Sequence, residues 1–180
     1  VNVNNGTITI TADGTYRLSG EYNGQVKIEA GKSDTVRLVL DNAKITNSTG
    51  AAINVVSAAE AIIYTAAGTT NTVADEANYT ATGDDDPDAA IYSTANLTLA
   101  GEGSLSVEGA YEEGIHTTGG LVIASGTLEV NAANTGIKGK DYVDITGGIV
   151  NVTAAQDGIK STNTDDESLG FTRLSAGSVT

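Results

Sequence analysis

Apolar residues alternate with polar ones along this chain in short runs, and the runs themselves return at a fixed interval. Four segments align on a small residue followed by isoleucine: Ala90-Ile91, Gly114-Ile115, Gly136-Ile137 and Gly158-Ile159. The isoleucines lie 24, 22 and 22 residues apart. Six residues after the first three comes a second apolar pair, Leu97/Leu99, Leu121/Ile123 and Val143/Ile145. A third pair follows, Leu105/Val107, Leu128/Val130 and Val150/Val152, and glycines punctuate the corners between them. Each pair has the period-2 pattern of a strand with one face buried. Three strands and three corners per repeat of about 22 residues predict one turn of a triangular, parallel β-solenoid. A β-sandwich would not hold its inward positions in so constant a register.

The N-terminal half follows the same plan more loosely, with strand-like pieces at Thr7–Ile10, Tyr16–Leu18, Val26–Ile28, Val36–Leu40, Ala52–Val55 and Ile62–Tyr64. Between Ile53 and Ile91 the interval widens to 38 residues. One turn therefore carries an excursion of roughly 14 to 16 extra residues relative to the later period, expected to include Asn71 to Asp88. About seven turns fit in residues 1–180 as a single all-β domain.

Composition narrows the chemistry. The chain has 9 Lys and Arg against 23 Asp and Glu, a formal charge of −14, and it lacks Cys, Met and Trp. Without thiols there is no disulfide framework, no iron–sulfur cluster and no cysteine-ligated zinc. The negative field disfavours nucleic acid and anionic lipid and favours divalent cations. No apolar run is long enough for membrane insertion. The first residue is Val1 rather than Met, which points to a mature or excised segment.

Acidic clusters are the candidates for a cation. The densest is Asp84-Asp85-Asp86-Pro87-Asp88, with Asp75 and Glu76 nearby. Several carboxylates on one turn suit calcium, which takes six to eight hard oxygen ligands. A second candidate is Asn163, Asp165, Asp166 and Glu167, and a plain solvated loop is the competing reading of both. Stacking also turns repeats into columns. The position after each isoleucine reads Asn54, Tyr92, His116, Lys138 and Lys160, and the last three are expected to face outward on adjacent turns. With Lys140 they form a basic ladder for the carboxylates of an anionic polymer, bordered by Glu113 and Asp157, while Tyr92 and Tyr111 offer rings for sugar stacking. Simple solubilising ion pairs are the alternative.

Several stretches resemble a known family, the carbohydrate-binding β-helix domains on the surface of cellulose- and pectin-degrading anaerobic bacteria. They are Leu38-Val39-Leu40-Asp41-Asn42-Ala43, Ile45-Thr46-Asn47, Gly50-Ala51-Ala52-Ile53, Asp86-Pro87-Asp88-Ala89-Ala90-Ile91-Tyr92-Ser93, Gly101-Glu102-Gly103-Ser104-Leu105 and Asp157-Gly158-Ile159-Lys160-Ser161. The resemblance implies a right-handed parallel β-helix, bound Ca2+, an extracellular setting and affinity for acidic plant polysaccharide such as polygalacturonate, without catalysis. One departure stands out: the family tends to place acids before Gly-Ile, and here Asn134-Thr135 is uncharged, so that turn is expected to lack a calcium ligand.

The expected metal ligands are Asp84, Asp85, Asp86, Asp88, Asp157, Asn163, Asp165 and Asp166. The expected polysaccharide contacts are Tyr92, His116, Lys138, Lys140 and Lys160. Two other functions compete. A pectate-lyase-like enzyme would need Lys138 or Lys160 beside Asp157 as its base. A fibre or tandem array would join Gly177-Ser178-Val179-Thr180 of one copy to Val1-Asn2-Val3 of the next, completing a third strand.

Overall fold

The structure is a computed structural model that describes every residue except Thr82, Asp84 and Asp85. Among the described residues the fold is all-β, with twenty strands and no helix. Nearly all pairing is parallel and joins strands one repeat apart. Ile53 pairs with Ile91, Ile91 with Ile115, Ile115 with Ile137 and Ile137 with Ile159. The chain thus crosses three faces in turn and returns one strand further along.

The first face stacks seven parallel strands: Thr7–Ile10, Gln25–Glu29, Ile53–Ser57, Ala89–Ser93, Glu113–Thr117, Ile137–Gly139 and Ile159–Ser161. The second face includes Glu60–Thr65, Asn96–Gly101, Gly120–Ile123, Tyr142–Ile145 and Phe171–Leu174, and the third includes Thr70–Asp75, Ser104–Gly109, Thr127–Ala132 and Ile149–Ala154. The long strand Thr35–Asn47 joins these two faces. Its first half pairs with Glu60–Thr65 and its second half with Thr70–Asp75. Between the halves Asn42 takes a left-handed conformation, φ 53°, which asparagine tolerates better than other non-glycine residues.

Inward positions of all three faces merge into one core, which includes Ile53, Ile91, Ile115 and Ile137 from the first face, Leu97, Leu121 and Val143 from the second, and Leu105, Leu128 and Val150 from the third. The column of Leu105 and Leu128 continues one rung earlier into Asn71, which is fully buried. Asn71 is satisfied there: Oδ1 accepts from Ala43 N at 2.9 Å, and Nδ2 donates to Thr69 Oγ1 at 2.9 Å and Ser104 O at 3.1 Å. A buried amide so paired avoids the desolvation cost of an orphan. Gly114 marks a tight corner. A Cβ there would stand 2.4 Å from Val130 Cγ1 and 2.8 Å from Gly136 O.

Two expectations change. The excursion begins later than the spacing suggests, because Thr70–Asp75 is a regular third-face strand; the insertion is confined to the stretch from Glu76 to Asp88. Residues Asn2–Asn4 do not continue the third face either. They fold back antiparallel on Thr7–Ile10 through Asn5 and Gly6, whose φ values of 46° and 73° are those of a two-residue hairpin turn.

Candidate functional site

The corner that leads into the first face gathers the charged side chains. Backbone hydrogen bonds align it rung by rung: Glu113 N donates to Asp88 O, Asn134 N to Glu112 O and Gln156 N to Asn134 O. A neighbouring column is set by Gly114 N donating to Thr135 O and Gly136 N to Asp157 O. Fixed register in this way brings together residues far apart in sequence. Carboxylate oxygens of Asp88, Glu112 and Glu113 lie within 4.8 Å of one another.

Two nitrogen-bearing side chains, His116 and Lys138, meet this cluster. His116 Nδ1 is 2.5 Å from Asp88 Oδ1, and Lys138 Nζ is 3.4 Å from both Asp88 Oδ2 and Glu113 Oε1. Glu113 is only 3% exposed. Burial, with the Asp88 charge beside it, pushes its carboxyl up to about 7. Burial works on Asp88 in the same sense, but the His116 hydrogen bond and charge, with Lys138, outweigh it and hold Asp88 below the ordinary range. The two carboxyls share their protons unequally, with Asp88 the charged partner.

Unmet hydrogen-bonding capacity concentrates here. Among the described residues four buried side-chain polar atoms lack a partner, and three of them are Glu113 Oε2, Asn134 Oδ1 and Thr135 Oγ1. All three are oxygens on two adjacent rungs of one corner. Buried polar atoms are seldom left so, and an oxygen-only set is the donor chemistry of a hard cation. Asp88, Glu112 and Glu113 could hold a hard cation such as calcium as charged ligands, and Asn134 and Thr135 have the donor chemistry of neutral ones.

A buried carboxylate stands next to this corner. Asp75 accepts hydrogen bonds from Ala110 N at 2.5 Å and Tyr79 Oη at 2.7 Å, and Tyr79 stacks on Tyr111 with centroids 4.1 Å apart. Desolvation raises the Asp75 carboxyl despite those bonds. The group anchors the excursion to the third face.

The expected column Asn54, Tyr92, His116, Lys138, Lys160 is present in register. It is not a free basic surface. Tyr92 is 6% and His116 9% exposed, and their rings meet edge to face at 5.2 Å. Lys138 is committed to Asp88 and Glu113, and Lys160 to Asp157 at 3.0 Å. Lys140 is exposed. The outward orientation expected of His116 fails because the Asp88 corner folds over it.

Of the expected metal ligands, only Asp88 enters the oxygen cluster; Asp84 and Asp85 lie outside the described residues. Asp86 instead accepts from Gly83 N at 2.8 Å. Asn163 Oδ1 accepts from Asp165 N and Asp166 N, and Asp166 Oδ1 from Ser168 N and Oγ. That second loop spends these oxygens on its own turns. Sequence reasoning noticed Glu113 only as a neighbour of the basic column, took Asn134 and Thr135 as a turn lacking a calcium ligand, and passed over Glu112. Their common offset before each Gly-Ile pair was the available signal.

Comparison with known proteins agrees with this architecture. The sequence model of a family described as carbohydrate-binding domain-containing protein matches residues 4–180. A carbohydrate-binding domain-containing protein of Acetivibrio thermocellus is 37% identical over 128 residues, 69% of this chain and 45% of the relative. The match thus spans less than half of that relative's length. A solved structure, the polysaccharide lyase-like protein from C. thermocellum in a gadolinium derivative, superposes with a TM-score of 0.96 at 36% identity. The superposition covers 99% of this chain and 73% of that one.

Proposed function

Since the chain belongs to the carbohydrate-binding domain family, we propose that it is an extracellular module that binds acidic polysaccharide of the polygalacturonate type through calcium held at the Asp88–Glu113 corner, on a right-handed parallel β-helix. Three clustered carboxylates, one of which (Glu113) carries an orphaned buried oxygen, with the orphaned oxygens of Asn134 and Thr135 beside them, carry the reading. Handedness follows from the strong preference of parallel crossovers for the right-handed path.

Calcium supplies positive charge where a protein of net charge −14 otherwise repels a polyanion. The side chains around it have separable tasks. Asp88, Glu112 and Glu113 would hold the ion, Asn134 and Thr135 would complete the oxygen shell, and His116 fixes the Asp88 carboxylate. With His116, Lys138 and Lys160 already paired, the lysine ladder has a secondary part in polymer binding, and Lys138 is not a free base beside a substrate. The module therefore acts by binding rather than catalysis.

Calorimetric titration of the calcium-loaded protein with polygalacturonate tests this reading. Saturable binding that disappears on chelation and in Glu113→Gln is the expected result. Binding of equal strength in chelator would remove calcium from the account, and absence of binding in every condition would remove the polyanion.

A further inference from the structure

The described structure has a groove of about 700 Å³ over the first three rungs of the same column, with Pro87, next to Asp88, among its lining residues. Its floor comes from Thr7, Gln25 and Asn54 on successive first-face strands, its side from Asn23 and Asn47, and its rim from the excursion at Glu76 and Tyr79. Its volume is in the usual range for ligand sites, roughly 300–1,000 Å³. Most of the lining side chains carry an amide or a hydroxyl, with Gly6, Gly24, Gly50, Ala51, Ala81 and Pro87 between them. Among the described residues Glu76 is its one acidic residue, and no Lys, Arg or His contributes.

Part of this polar surface is held rigid and part is free. Gln25 Nε2 and Asn47 Nδ2 both donate to Ala51 O, at 3.0 and 2.9 Å, which fixes the two amide planes. Tyr79 is fixed through its hydroxyl on Asp75 and its stack on Tyr111. The side-chain amides of Asn23 and Asn54 form no hydrogen bond with the rest of the described chain and lie open to the groove. Preset amides beside free donor–acceptor pairs match sugar hydroxyls, each of which both donates and accepts. A uronate polymer finds no protein cation here.

We infer that this groove is a second glycan site, separate from the calcium corner, which takes an uncharged oligosaccharide through the amides of Asn23 and Asn54. The inference rests on the family's carbohydrate binding and not on the calcium reading. The acidic corner then serves charged polymer and the groove neutral polymer, on one rigid scaffold.

The test is calorimetry of the full chain in chelator with cellohexaose, xylohexaose and mannohexaose as probes, on the native protein and on Asn23→Ala/Asn54→Ala. Binding of at least one probe that survives chelation, and weakens roughly tenfold or more in the double variant, is expected, because each lost hydrogen bond costs about 1 kcal/mol. Thermal melting of the variant is expected to match the native protein, since neither amide holds the fold. Absence of binding to all three probes overturns the proposal, as does native-strength binding by the variant. Titration with polygalacturonate and calcium in parallel separates this outcome from failure of the calcium reading.

Discussion

Two acidic regions look alike in sequence and differ in structure. The loop at Asn163 to Ser168 uses its oxygens at once on nearby backbone and hydroxyl groups, with four donors on Asn163 Oδ1 and Asp166 Oδ1. The corner at Asp88, Glu112 and Glu113 draws its residues from different rungs and leaves buried oxygens without donors. A local cluster can satisfy itself through Asx turns. A cluster assembled by register cannot, because its backbone is already committed to the ladder. Vacant acceptors, rather than the density of acids, set the two regions apart.

The largest expected effect breaks this contrast directly. Calcium at about a hundredfold over its Kd stabilises a protein by about 2.7 kcal/mol, a rise of roughly 5–10 °C in melting temperature for a domain of this size. Glu113→Gln is expected to abolish that rise in a thermal melt. A full calcium shift in the variant would place the ion elsewhere.

Next in size is Lys138→Met. The Lys138 ammonium lies 3.4 Å from Asp88 and Glu113, where it competes with a metal ion for the same carboxylates. Its removal is expected to tighten calcium binding several-fold by calorimetry while lowering stability in chelator, since a buried carboxylate loses its partner. Weaker calcium binding would show that the lysine supports the site instead.

A smaller effect is pH dependence. In chelator the folded Glu113 keeps its proton up to about 7, above the ordinary value of 4.5. The folded state then binds more protons than the unfolded state between these values, so stability falls as pH rises from about 4.5 to about 7. Asp75, also raised, adds to the fall just above its ordinary value of 3.8. Asp88 acts oppositely, but only below 3.8, where it gains charge early in the folded state. Urea midpoints at pH 5 and pH 7 check the sign, and Glu113→Gln is expected to flatten the slope. Calcium affinity is expected to weaken as pH drops below about 7, because protonated Glu113 must release its proton to bind.

The smallest effect belongs to the other loop. Asp166→Ala removes a turn acceptor and is expected to cost about 1 kcal/mol or less in urea unfolding, with calcium affinity unchanged in calorimetry. A loss of affinity there would erase the distinction between the two regions.

Much of the architecture was legible beforehand because a parallel ladder repeats its inward side chains at constant offset. The isoleucine pairs at Ile91, Ile115, Ile137 and Ile159, and the column from Asn54 to Lys160, follow from that regularity alone. The site was legible only in part. Asp88 and Lys138 stood out by type, but Asn134 and Thr135 carry no charge, and nothing in their composition signals a ligand.

The sequence by itself determined the period, the inward faces and the columns, since burial of alternate residues at a fixed repeat admits one register. It also determined the negative field that a polyanion must overcome. Tertiary structure alone decided which side chains face free space. Whether His116 points to solvent or under Asp88, and whether Val1–Val3 extends a face or folds back, depend on corners and on an excursion that obey no period. The Asn5-Gly6 turn sets the N-terminal outcome through local sterics, and Asp88, at the end of the excursion, sets that of His116 through a long-range hydrogen bond.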